Sequence, residues 1–158
     1  MENIREATAY MKTEMLLTNY KKFKKGIENK ELLIDEYNQE GLPQSSKSIV
    51  KFSNDSDFGG ESDFEKKEEI INSLQENIKV TKLLINLIDK ALKEIVSDPY
   101  FEIIVLKYFE DYTIAEIGYK IPCEASTVSR NRSRLVRELS TILFSDEVLR
   151  ELYGLGVQ

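Results

Sequence analysis

A chain of 158 residues is long enough for one ordinary domain or two small ones. It has no histidine and a single cysteine, Cys123. The commonest general base and metal ligand is therefore missing, an internal disulfide is impossible, and the usual thiol–imidazole nucleophile cannot be built. No apolar run reaches the ~20 residues of a membrane span. The opening residues, M-E-N-I-R-E-A-T-A-Y, lack a basic start followed by an apolar core, so a cytoplasmic protein without a secretory signal is expected. The net charge of −6 is unfavourable for a nucleic-acid partner on average, but an average hides a local basic patch. Between Lys120 and Arg137 the chain carries Lys120, Arg130, Arg132, Arg134 and Arg137 against one acid, Glu124. A second basic cluster is Lys21, Lys22, Lys24 and Lys25, and the acid is concentrated in residues 28–40 and 55–69.

Residues 3 to 39 contain no proline and are rich in Glu, Lys, Leu and Met, which predicts helix. Leu16, Tyr20, Phe23, Ile27, Ile34 and Tyr37 recur at helical spacing on one face, with Lys30 interrupting. Gly26 costs about 1 kcal/mol in a helix interior, and Asn29 could cap a new helix. One continuous helix is the expectation, with a break near Gly26–Asn29 the alternative. Gly41 and Pro43 end this segment. Residues 41–63, rich in Ser, Asp, Asn and Gly, read as a linker, since a loop this long is unusual inside a compact domain. Ile49, Val50, Phe52 and Phe58 could pin parts of it to a core.

From Asp63, a plausible N-cap, to Val96 the pattern is heptad. Ile71, Leu74, Ile78, Thr81, Ile85, Ile88, Leu92 and Ile95 alternate at spacings of three and four. Val80, Leu84, Leu87 and Ala91 add a second apolar row, as in a small bundle. The helix either packs within its own chain or forms a coiled coil, dimeric or with the N-terminal helix. A homodimer through residues 64–97 is the expectation. Ser97-Asp98-Pro99 is a boundary, with Asp98 capping and Pro99 opening a helix from Tyr100 to Phe109. Ile103, Ile104, Leu106 and Phe109 are its core candidates.

Thr113 and Glu116 form a capping box for a helix running from Ile114 to about Ile121, with Ile114, Ile117 and Ile121 buried. Gly118, lacking a side chain, suits a close helix crossing. Pro122 breaks the helix, and Cys123 is expected as a small packing residue. Glu124, Ala125 and Ser126 open the next helix, which Val128 anchors. Ala125, Ser126, Thr127, Ser129, Arg130, Ser133 and Arg134 are then its exposed positions. Small hydroxylated residues let a helix enter the ~12 Å major groove. Arg130 is the expected base reader, because arginine can take guanine O6 and N7 together. Arg132, Arg134 and Arg137 are expected on phosphates, which fix register without reading sequence, and Thr127 near the helix start beside them. An apolar stripe of Leu135, Leu139 and Ile142 or Leu143 continues to Phe144. Ser145 could cap a last helix from Asp146 to Tyr153, ended by Gly154. The expected architecture is thus all-α. Residues 1–40 form an N-terminal helical segment, 41–63 a linker, 64–97 a heptad helix and 98–158 a helix-turn-helix bundle.

The stretch L-K-Y-F-E-D-Y-T-I-A-E-I-G-Y-K-I-P-C-E-A-S-T-V-S-R-N-R-S-R-L resembles the region-4 helix-turn-helix of bacterial sigma factors. Its continuation through V-R-E-L to the L-F tail is similar to phage and prophage regulators of the ArpU/RinA type. The likeness covers Leu106 to Phe144. Gly118 stands where Ala is usual, Pro122 where Gly is usual, and Asn131 at a place often apolar. Nothing before Tyr100 resembles a promoter-melting domain. The resemblance implies a sequence-specific transcription regulator, an activator of phage late or autolysis genes, bound to double-stranded DNA. The alternatives are a sigma-like factor that contacts RNA polymerase, a small-terminase recognition subunit and a plain coiled-coil scaffold. No enzyme activity, cofactor or metal is expected, since neither a phosphate-cradling glycine loop nor a metal-ligand spacing is present.

Overall fold

The computed structural model describes residues 2–40 and 63–145. Those residues form helices joined by short turns, with no strand among them, in the order α1 (Glu2–Glu40), α2 (Asp63–Ile95), α3 (Phe101–Ile104), α4 (Ile114–Lys120) and α5 (Ala125–Leu143). A π-helical stretch, Val105–Phe109, continues α3. Of the expected 41–63 linker, Asp63 already opens α2, and the rest, like the Asp146–Tyr153 helix, lies outside the described residues. None of the described helices is long and apolar enough to cross a membrane.

Gly26 does not break α1, and an added Cβ there would meet nothing within 4 Å. The helix keeps its glycine at a cost of about 1 kcal/mol relative to Ala. The chain divides into two compact units, one of residues 1–22 with 84–158 and one of 23–83. In the second unit Ile27 and Ile78 are buried, and Lys82 Nζ reaches Glu31 Oε1 at 3.0 Å across an exposed surface. In the first unit Leu17 and Thr13 of α1 are wholly buried. The threonine is tolerated inside because its Oγ1 donates to the Ala9 carbonyl at 2.9 Å, which satisfies a polar group that would otherwise cost energy to bury. The sequence stripe selected Leu16 where the fold buries Leu17.

The heptad row of α2 is used by the chain itself. Ile85, Ile88 and Ile95 are buried in the first unit, together with Leu87 and Ala91 from the second row. Fully burying such side chains stabilises by about 1.5–3 kcal/mol each. Burial of these five residues is intrachain, while Ile71, Leu74, Thr81, Leu84 and Leu92 are half-buried and Val80 is exposed.

After α2 the turn at 96–100 differs from the expected cap. The N-cap position of α3 is Tyr100, with no side-chain cap bond. Asp98 instead makes a local turn: its Oδ1 accepts from the Tyr100 N–H at 2.9 Å and its carbonyl from the Phe101 N–H at 3.0 Å. The π stretch is closed by Glu110 N–H donating to the Val105 carbonyl at 3.1 Å. Its widened turn brings Leu106 and Tyr108 into the buried layer, while the expected Phe109 is half-buried and packs its ring 5.0 Å from that of Tyr20. Asp111 then takes a φ of 60°, the left-handed conformation that Asp tolerates better than most residues. Tyr112 N–H turns back to the Leu106 carbonyl at 3.0 Å, aiming the chain into α4.

Candidate nucleic-acid interface

The helix-turn-helix is built on one small core. Ile103, Leu106, Ile117 and Val128 are buried together, and Tyr100, Tyr112, Ile114, Ile121 and Cys123 pack around them. One residue or pair from each of α3, the π stretch, α4 and α5 meets there, which fixes the angle at which α5 is presented. Cys123 is free and half-buried against this cluster.

The entry to α4 has the expected capping box. Thr113 Oγ1 accepts from the Glu116 N–H at 3.3 Å, and Glu116 Oε2 accepts from the Thr113 N–H at 2.7 Å. The Thr113 N–H bond, and then the Thr113 hydroxyl donating to the same oxygen at 2.7 Å, hold the Glu116 carboxyl below its ordinary range. Pro122 lies in the turn between α4 and α5. A Cβ on Gly118 would stand 2.9 Å from the Cys123 carbonyl oxygen, so the turn closes onto the bare α-carbon. The close approach expected at Gly118 is real, and its neighbour is the turn backbone.

Along α5, Val128, Leu135, Val136, Leu139 and Leu143 are buried. The opposite face is Ser126, Arg130, Ser133 and Arg137, spaced four, three and four residues apart, which is one line on a helix. Ser126, Arg130 and Arg137 are exposed, whereas Ser133 and its neighbour Ser129 are half-buried. Ser126 Oγ donates to Glu124 Oε2 at 3.4 Å. Thr127 is half-buried on the flank, where its carbonyl accepts from Asn131 Nδ2 at 3.0 Å.

The arginines separate into two groups. Arg130 and Arg137 stand on the exposed line. Arg132 lies near the buried side, four residues after Val128 and three before Leu135. Its side chain is 26% exposed and its Nη1 is 3.9 Å from Glu14 Oε1 of α1, while its Nε is buried without a hydrogen-bond partner. The same Glu14 oxygen accepts from the Tyr108 hydroxyl at 2.7 Å. Burial, and then the Glu14 carboxylate, push the Tyr108 phenol well above its ordinary range. Arg134 is on the Thr127 flank and gives both ends of its fork to Asp98, at 2.9 and 3.0 Å. That guanidinium holds the Asp98 carboxyl below the usual carboxylate range.

Arg132 and Arg134, the expected phosphate contacts, each have a partner within the chain. In this structure both are engaged with carboxylates of the chain itself, because residues two apart on a helix point in different directions. The partners, Glu14 and Asp98, are 118 and 36 positions away in sequence from Arg132 and Arg134 respectively, and no periodicity signals such pairs. Lys120, the remaining cation of the basic stretch, lies 4.1 Å above the Tyr112 ring. Tyr119 of α4, 88% exposed, is a surface aromatic that the apolar pattern did not single out. Among the described residues no group of three or more Cys, Asp or Glu side chains could hold a metal ion.

No protein-family model, curated protein or solved structure matches the chain.

Proposed function

We propose that the chain is a sequence-specific DNA-binding transcription regulator that inserts α5 into the major groove. The observation that carries this reading is the single line of exposed Ser126, Arg130 and Arg137 with half-buried Ser133, backed by a buried line anchored at Val128 and preceded by a capped α4 and a tight turn. Small hydroxylated residues alternate with arginines there, so a helix can approach base edges closely and still donate to guanine and phosphate. Arg130 reads a base, Arg137 holds a phosphate, and Ser126, Ser129 and Ser133 line the approach. The resemblance of Leu106 to Phe144 to the ArpU/RinA-type regulators adds control of phage late or autolysis genes. A homodimer through residues 64–97 would present two such helices to a two-part site; Ile71, Leu74 and Leu92 of the heptad row are only half-buried within the chain.

Selection of bound fragments from a random-sequence duplex pool, followed by footprinting, tests it. A recovered motif containing a guanine whose preference vanishes in Arg130→Ala supports the reading. Recovery of no motif, with no retention of duplex at low salt by the folded protein, rejects it.

A further inference from the structure

Four of the five donors of Arg134 are engaged within the chain. Of the five N–H groups of a guanidinium, two go to the Asp98 carboxylate at 2.9 and 3.0 Å. Two more reach Asn131 Oδ1, from Nε and Nη2, both at 3.3 Å. The last faces Glu138 Oε2, 3.8 Å from Nη1. Asn131 is itself held by its bond to the Thr127 carbonyl. The flank of α5 that carries an arginine therefore presents one cation and two carboxylates, a net negative charge, immediately beside the exposed line.

We propose that Asp98 is a built-in competitor for a DNA phosphate at Arg134, and that while the Asp98–Arg134 pair is closed the complex lacks that phosphate contact. The inference rests on the DNA-binding reading above. A carboxylate fills the guanidinium fork in the way two phosphate oxygens would, so the two acceptors exclude each other. The pair is placed to exchange. Arg134 is 46% exposed, whereas Asp98 is only 19% exposed. Asp98 is anchored independently by the Tyr100 and Phe101 N–H groups, so it stays in the turn when the arginine swings away. That turn directly follows α2, which links the position of the competitor to the end of the long helix.

The test uses the full chain and a mixed-sequence DNA duplex, with affinity measured across a salt series. Asp98→Asn keeps an oxygen for the Tyr100 N–H and removes the charge; Asp98→Ser is a second variant that can also accept that bond. Both are first checked for a cooperative thermal transition. Each should bind on the order of threefold more tightly at moderate salt, the scale of an exposed ion pair. The slope of log affinity against log salt should steepen by about 0.9, one extra phosphate. In an Arg134→Ala background the Asp98 substitutions should change neither quantity. A slope equal to wild type, or an equal steepening without Arg134, would overturn the proposal while leaving DNA binding intact. Absence of salt-dependent binding by the folded wild-type protein would reject the DNA reading, and this inference with it.

Discussion

The α-carbon of Gly118 faces the Cys123 carbonyl so closely that a methyl group added there would stand 2.9 Å from the oxygen. Two effects oppose each other in Gly118→Ala. Helix propensity favours the alanine by about 1 kcal/mol. Overpacking of a fitted site costs about 1–3 kcal/mol, and the atom met here is backbone in a tight turn, which cannot rotate away. The clash wins, and a net loss of about 1 kcal/mol is expected, a fall in melting temperature of about 2–4 °C at this chain size. Gly118→Val should lose more. A higher melting temperature for the alanine variant would show that the turn gives freely.

The all-α class and the helix-turn-helix were legible because their signals are local. The Thr113–Glu116 box, Pro122 in the turn and Val128 as the anchor are each defined by residues a few positions apart, and short-range chemistry decides them. The continuity of α1 through Gly26 was legible for the same reason, since nothing nearby favours a break strongly enough. The fates of Arg132 and Arg134 were not legible. Each is set by a carboxylate distant in sequence, Glu14 and Asp98, and a charge pattern along one helix cannot say which arginine has a partner on another. The heptads of α2 were read correctly as a packing face, but a hydrophobic stripe carries no record of whether its cover comes from the same chain. Tyr108 escaped notice because the π stretch alters the spacing by which buried positions are found.

Tyr108 and Glu14 join the helix-turn-helix to α1 through one hydrogen bond of 2.7 Å. Tyr108→Phe removes the donor from a residue only 7% exposed. A hydrogen bond to a charged group contributes roughly 1.5–3 kcal/mol, reduced here because the Glu14 side chain is 32% exposed and part of its charge is screened. A loss of about 1 kcal/mol in urea unfolding is expected, with an unchanged denaturant slope. Because the folded phenol titrates above its ordinary value, its contribution is complete below the unfolded value of ~10. It declines as pH rises beyond that value, where the unfolded chain gives up the proton first. Tyr108→Phe should therefore also flatten the alkaline loss of stability. An alkaline limb identical in both proteins would contradict the assignment.

At the acid side the signs reverse. Asp98, through Arg134, and Glu116, through the Thr113 N–H, both titrate lower in the folded chain than in the unfolded one. Between the two values the unfolded chain holds the extra proton, so stability rises with pH. The contributions are present above the unfolded values of ~3.9 for Asp and ~4.3 for Glu, and they drain away as pH falls through the folded values. Melting temperature measured from neutral to strongly acid pH should fall less steeply in Asp98→Asn and in Glu116→Gln than in wild type. Thr113→Ala, which removes the cap acceptor, should cost about 1 kcal/mol at neutral pH. An acid limb of unchanged steepness in both carboxyl variants would show that neither contact persists in solution.

The division of the arginines gives the proposed interface its sharpest contrast. Arg130 and Arg137 are exposed on one line of α5, whereas Arg132 is turned toward Glu14. Arg130→Ala should cost about 1–3 kcal/mol on a selected site and much less on random duplex, because a bidentate guanine contact is what it removes. Arg137→Ala should weaken both duplexes alike and lower the salt slope by about 0.9, the loss of one phosphate contact. Arg132→Ala should leave the salt slope at its wild-type value. Its effect should appear instead in the melting temperature, because the variant removes the cation opposite Glu14. The three variants are compared on the same pair of duplexes. A reduced slope in Arg132→Ala, with Arg137→Ala unchanged, would place the DNA on the other side of α5 and overturn the assignment of the exposed line.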